Sequence, residues 1–260
     1  MVNISLKIQK RLQEGVKKFV PILSKAKTKD INESDTVTII VDMLSEIFGY
    51  DKFSEITSEY AINKTFCDLA IQINGKIKIL IECKAIGLEL KDDYIRQATN
   101  YGAGEGIDWV ILTNGHNWRI FKIIFAKPVT KELSYEFDLC NFNYKKAECL
   151  EMLYYLTREA CSKTPLALEE FHMERQTLSK FSIGQLLLTE TMIDSLRKTL
   201  KRVSPNIKVT NEALKAIIEN EVLKREILEN EKADDLKKRF NKLLKTPNKK
   251  VVLPKETNKN

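Results

Sequence analysis

The sequence predicts an α/β fold: a mixed β-sheet flanked by helices, followed by an all-helical C-terminal region. Three observations predict it. Phe66–Lys84 is Ile-rich, alternates in polarity and is interrupted at Asn74-Gly75, the signature of a β-hairpin. Trp109–Thr113 is a short continuous apolar run, suited to a strand covered on both faces. Beyond Lys163-Thr164-Pro165 only helical periodicity remains.

The elements follow in chain order. Residues 4–24 carry Leu12, Val16, Phe19 and Leu23 at helical spacing, with Pro21 expected to kink the end and a basic linker near Ala26–Ile31. A second helix is expected from Asn32–Asp35 to Gly49, with Asn32 or Ser34 as N-cap and Val37, Ile40, Val41, Leu44, Ile47 and Phe48 inward. Glu33 shares that inward face, either as an acid complementing the helix N-terminus or as part of a metal site. A short strand over Ile56–Ala61 precedes the hairpin.

Hairpin register decides which residues meet. A two-residue loop pairs Ile73 with Lys76 and sends Asp68 and Glu82 to opposite faces. A three-residue loop ending in a left-handed Gly75 pairs Gln72 with Lys76 and puts even residues on one face. Asp68, Lys78, Glu82 and Lys84 then share a polar face, opposite Leu69, Ile71, Ile73, Ile77, Ile79, Ile81 and Cys83. Only this register buries a clean apolar face. It places Asp68 diagonally across from Glu82 at roughly 7–8 Å. Two carboxylates so placed, beside Lys84, suit a divalent metal next to a cation.

A helix is expected over Leu90–Tyr101, with Tyr94, Gln97 and Tyr101 on one face and the glycine-rich Gly102–Gly106 as a connector. That stretch lacks dinucleotide-loop spacing and leaves a helix instead of entering one. Trp109–Thr113, Trp118–Phe125 and Glu132–Leu139 are read as strands, the first two joined at Asn114-Gly115. Helices are expected over Lys145–Ser162, Ser182–Arg202, after Asn211, and over 232–245, followed by a disordered tail over 246–260. The implied organisation is a basic helix (1–27), an α/β domain (28–163), a helical region (164–245) and the tail.

Composition narrows the class. The chain has 260 residues and a net charge of +7. Residues 1–27 contribute +6 and residues 246–260 contribute +3, so the body is near neutral at about −2. No apolar run approaches a membrane span, and no signal-peptide h-region interrupts the basic N-terminus. Five cysteines without a C-x-x-C argue against a disulfide framework or zinc site, and a reducing cytoplasm is the expected compartment. With two histidines, a His-metal hydrolase is disfavoured.

Helix, strand, hairpin, helix, strand, strand, with an acid opening the first helix of the body, resembles the PD-(D/E)xK nuclease superfamily. The closer resemblance is to the N-terminal nuclease domain of type I restriction enzyme R subunits. Asp68 fits the motif Asp, Glu82-Cys83-Lys84 the E-x-K, Gln97-Ala98-Thr99-Asn100-Tyr101 the Q-x-x-x-Y, and Glu33 the helix acid. Cys67 replaces the Pro that often precedes the Asp. The resemblance implies a restriction-endonuclease-like fold and Mg²⁺- or Mn²⁺-dependent hydrolysis of DNA phosphodiesters. It implies Asp68, Glu82, the Cys83 carbonyl and Glu33 as metal residues. Lys84 would orient or deprotonate water, or neutralise phosphate, with Gln97 and Tyr101 positioning it. No motor motif (G-x-x-x-x-G-K-[ST]) is present. The alternative is a non-catalytic nucleic-acid-binding or assembly module, with the C-terminal helices pairing two copies or docking a partner subunit. RNA is a third, weaker candidate substrate.

Overall fold

The computed structural model describes residues 2–62, 65–163, 166–229 and 240. The helix expected over 232–245 and the tail over 246–260 lie outside the described residues, residue 240 apart. The chain forms two compact units, residues 1–173 and 174–260.

In the first unit, α1 (Leu6–Thr28) and α2 (Glu33–Glu46) precede three strands, β1 (Ile56–Ile62), β2 (Thr65–Ile73) and β3 (Lys76–Cys83). A 3-10 turn (Asp92–Ile95) leads into α3 (Arg96–Glu105), followed by β4 (Trp109–Thr113), β5 (Asn117–Ile124) and β6 (Thr130–Asp138). Helices α4 (Ala147–Tyr154) and α5 (Arg158–Lys163) follow, and α6 (Ala167–Thr177) begins in this unit and crosses its boundary at residue 173. The strands form one six-stranded sheet in sequence order. Every neighbouring pair is antiparallel except β3 and β4, which are parallel. That parallel step requires a crossover, and α3 supplies it.

The sheet is buried on both faces. Leu69, Ile71, Ile79, Ile81, Ile111 and Trp118 pack with Leu12, Val16 and Phe19 of α1, Ile40 and Leu44 of α2, and Leu150 and Leu153 of α4. On the other face Ala70, Leu80, Val110, Leu112, Phe121 and Ile123 pack with Ile95 and Ala98. All five residues of β4 are buried, as its unbroken apolar run requires. α1 runs through Pro21 to Thr28 and contributes Ala26 to the core, so the expected linker begins later than the composition suggests.

The glycine-rich stretch is helical. Gly102 and Gly104 lie inside α3, and only Gly106 (φ 69°) forms the left-handed cap. Gly102 is where α3 meets the sheet: a Cβ there would stand 2.4 Å from Ile123 Cδ1. Close approach of helix to sheet, not loop flexibility, explains the glycine. Gly102→Val is expected to destabilise the first unit by about 1–3 kcal/mol through overpacking, measured by urea denaturation.

Arg11 staples α1 to α5. It donates to Glu159 Oε1 and Oε2 at 2.7 and 2.6 Å and to the Ile47 carbonyl at 3.1 Å. Burial would raise the Glu159 carboxyl, but the Arg11 hydrogen bond and charge outweigh it and hold the group below its ordinary value. A lowered carboxyl stabilises the fold above its unfolded value and loses that contribution as pH falls through the folded one. Glu159→Gln is therefore expected to flatten the acid limb of a stability-against-pH curve below pH ~4.3, followed by denaturation at graded pH.

In the second unit, α7 (Lys180–Leu187), α8 (Glu190–Val203) and α9 (Asn211–Ile217) are followed by a π-helical turn (Ile218–Val222) and α10 (Arg225–Leu228). The helix expected over Ser182–Arg202 divides at Leu188-Thr189, where Thr189 Oγ1 donates back to the Leu186 carbonyl at 2.7 Å. The helix expected over Lys145–Ser162 divides similarly between α4 and α5, where Thr157 Oγ1 donates to the Tyr154 carbonyl at 2.7 Å. Ile193, Leu214 and Ile218 form the core of this unit.

Candidate active site

The hairpin turn has two residues, not three. Asn74 (φ 51°) and Gly75 (φ 73°) both take left-handed conformations, as a type I′ turn demands, and Ile73 pairs with Lys76. The register then shifts between Gln72, which pairs with Ile77, and Ile71, which pairs with Ile79. Lys78 is the extra residue of this bulge. From Ile71 onwards the pairing is Ile71–Ile79, Ala70–Leu80 and Leu69–Ile81. The expected sharing of a face by even residues therefore holds beyond the bulge, though for a different reason. Carried on past Leu69–Ile81, the last pair of the ladder, this register sets Asp68 opposite Glu82 instead of diagonal. Before the bulge the expectation fails: Ile77 packs with the α3 side of the sheet, and Lys78 lines a cavity with Tyr155 and Cys161.

Where the β2–β3 ladder ends, after Leu69–Ile81, a side chain takes over. Asp68 Oδ2 accepts from the Cys83 backbone N–H at 2.6 Å. This pins the carboxylate beside Glu82 and Lys84. Lys84 Nζ donates to Glu82 Oε1 at 2.8 Å and lies 3.7 Å from Glu33 Oε2. The Lys84 N–H donates to the Thr113 carbonyl at 2.9 Å, extending the β3–β4 pairing by one bond and fixing the lysine at the carboxyl ends of two parallel strands. Open α/β sheets commonly place ligand sites at such strand ends.

Glu33 reaches the lysine because α2 begins there. Asn32 caps the helix, its side chain accepting from the Asp35 N–H at 2.9 Å. The buried Thr36 Oγ1 accepts from the Ile86 N–H at 3.1 Å, tying the first turn of α2 to the segment after Lys84.

The electrostatics are crowded. Burial raises the Glu82 carboxyl above its ordinary value; Asp68 and Glu33 add to this, and the hydrogen bond from Lys84 only partly offsets it. Burial would depress the Lys84 ammonium, but the hydrogen bond and charge of Glu82, with Glu33 and Asp68, hold it above its ordinary value. The two partners thus shift the same way, because three carboxylates share one ammonium. Lys84 is a cation at neutral pH. Cys83 is wholly buried, and burial raises its thiol well above the usual range; the Cys67 thiol is pushed up to about 12 by burial. Neither cysteine is an activated nucleophile.

Gln97 and Tyr101 stand on α3, Gln97 exposed and Tyr101 partly buried against the α3-side core. Among the described residues no hydrogen bond joins either to Lys84. The aromatic ring beside the ammonium is Tyr94, with Lys84 Nζ 5.7 Å from its centroid. Tyr94 belongs to the expected i, i+3, i+7 stripe, but it lies in the 3-10 turn before α3 and so departs from the line of Gln97 and Tyr101.

The arrangement gathers Glu33, Asp68 and Glu82 around Lys84 at one end of the sheet, on elements in the order of the proposed motifs. Residues 33–135 match the family model of the type I restriction enzyme R protein N terminus. The R-protein match starts at the first residue of α2 and ends within β6, so it contains all seven expected site residues. α1 and the helices from α4 onwards lie outside it. No curated protein and no solved structure gives a significant match. No described helix is long and apolar enough to cross a membrane.

The donor set fits a hard divalent cation. Among the described residues no three His, Cys, Asp or Glu side chains form a ready cage. Mg²⁺ needs none, since one or two carboxylates completed by waters and substrate oxygens are its usual shell.

Proposed function

We propose that this chain is a divalent-metal-dependent DNA nuclease of the restriction kind. The observation that carries the reading is the convergence of Asp68, Glu82 and Glu33 on Lys84 within the stretch that matches the R-protein N terminus. Asp68 and Glu82 would hold Mg²⁺ or Mn²⁺, with the Cys83 carbonyl as a further oxygen and Glu33 through water. When bound, the metal supplies an activated water and charge stabilisation at the phosphate.

The chain's own residues do the rest. Asp68 is oriented by the Cys83 N–H. Glu82 is half withdrawn from solvent, so its proton is held more tightly than an ordinary carboxyl's. Lys84, kept protonated by its acidic neighbours, is better suited to neutralise phosphate oxygens and orient water than to take a proton. Gln97, exposed on α3, and Tyr101 would line the path of the strand. The non-bridging oxygens of the substrate would draw Lys84 away from Glu82, freeing that carboxylate.

Calorimetric titration with Mn²⁺ at pH 7 tests the metal half. The intact chain is expected to take up metal, and Asp68→Asn to lose at least about 1.4 kcal/mol, or tenfold, in affinity. Metal uptake unchanged by the substitution would favour a non-catalytic DNA-binding module. Uptake should also weaken as pH falls, because the raised Glu82 carboxyl takes a proton earlier than an ordinary one. Cleavage of single- and double-stranded DNA in Mg²⁺, with RNA as comparison, tests the substrate half.

A further inference from the structure

The second unit carries a charge pattern that the site does not use. From Arg197 to Lys208 the sequence holds Arg197, Lys198, Lys201, Arg202 and Lys208 and no acid. Lys198, Lys201, Arg202 and Lys208 are all exposed, and among the described residues none of them has an ion-pair partner within 4 Å. On α8, Lys198, Lys201 and Arg202 fall within an arc of about 100° and one turn. The opposite side of the helix carries Ile193 and Leu196, which pack with Leu214 and Ile218. Asp194, the acid closest to this cationic face on α8, is tied up by Arg197 at 3.1 Å and Asn211 at 2.9 Å.

Cations at a helix C-terminus complement its dipole, which accounts for one or two lysines there. It does not account for a run that continues past Val203 to Lys208. A membrane surface is the less suitable occupant. An interfacial helix must offer its apolar face to lipid, and the apolar side of α8 is spent on the core of its own unit. What stands without an ion-pair partner among the described residues is a row of cations, the complement of a polyanion.

We propose that the outer face of α8 and the segment to Lys208 bind the phosphate backbone of duplex DNA without reading its sequence. The proposal rests on the nuclease reading and adds a second contact, outside the residues that match the R-protein N terminus. Such a contact would hold substrate while the sheet-end site acts.

The test uses the full chain in EDTA, so that cleavage does not intervene, and follows binding of a fluorescent duplex between 50 and 200 mM salt. Each phosphate contact contributes about 0.9 to the slope of log K against log salt. The triple variant K198Q/K201Q/R202Q is expected to lose roughly 2–3 units of slope and roughly ten- to several-hundred-fold in affinity at 0.1 M salt. K198R/K201R, which keeps the charges, should bind like the parent. Circular dichroism should be the same for all three. A triple variant with unchanged slope and affinity, while the parent binds DNA, overturns this proposal and leaves the nuclease reading standing. A parent that binds no DNA in EDTA overturns this proposal, and cleavage in Mg²⁺ then decides the nuclease reading separately. Tighter binding to phosphatidylserine vesicles than to DNA also overturns the choice of occupant.

Discussion

Lys84→Ala is expected to reduce Mg²⁺-dependent DNA cleavage by roughly 10²–10³-fold, equivalent to about 2.7–4 kcal/mol of transition-state stabilisation. Glu33, Asp68 and Glu82 all act upon Lys84, and only 15 % of its side chain is exposed. Removing it takes away the positive charge that the proposed site would set against a phosphate. It also leaves three carboxylates facing one another, which favours a metal instead of opposing it. Metal affinity in Lys84→Ala should therefore hold or tighten while turnover collapses. Single-turnover cleavage and Mn²⁺ calorimetry on the same preparation check both halves. Equal cleavage by parent and variant would remove the lysine from the chemistry.

Trp118→Ala is expected to give the largest loss of stability, about 3–5 kcal/mol. Trp118 is fully buried and its ring stacks on Phe137, with centroids 6.1 Å apart, and tilts against Phe48 at 5.5 Å. Its Nε1–H donates to the Gly115 carbonyl at 2.8 Å, closing the β4–β5 turn. The substitution leaves both a cavity and an unpaired carbonyl. A Cβ at Gly115 would stand 3.1 Å from Leu23 Cδ2 and 3.8 Å from Thr36 Cγ2, so the turn lies beside Thr36, which holds the Ile86 N–H, and the damage reaches the support of the site. Trp109 remains as the fluorescent reporter. Urea denaturation should show the midpoint falling sharply for the transition it reports.

Side-chain alternation makes the site legible in the sequence. An apolar face of Leu69, Ile71, Ile79 and Ile81 demands that paired residue numbers sum to an even value. It constrains parity and nothing finer. A three-residue loop and a two-residue turn followed by a bulge both satisfy it, and they differ by one full pair. That difference moves Asp68 from diagonal to directly opposite Glu82. The bulge at Lys78 left no mark in the sequence, because a lysine in an alternating strand looks like any solvent-facing residue. Gly102 misleads for a related reason: the close packing that selects glycine there is a tertiary fact, whereas its turn propensity is local; Gly104 meets nothing and has no such reason. Tyr94 was visible as part of a stripe, but its place beside Lys84 depends on the 3-10 turn that offsets it from α3.

The bond from the Cys83 N–H to Asp68 makes one carboxylate oxygen a substitute for a main-chain acceptor. An amide at position 68 would have to keep its oxygen on that N–H, because the nitrogen cannot accept it. Its NH₂ group would then be forced outward, toward Glu82 and any cation held there. The isosteric exchange Asp68→Asn would thus replace attraction with hydrogens pointing at the metal, a blockade rather than a mere neutralisation.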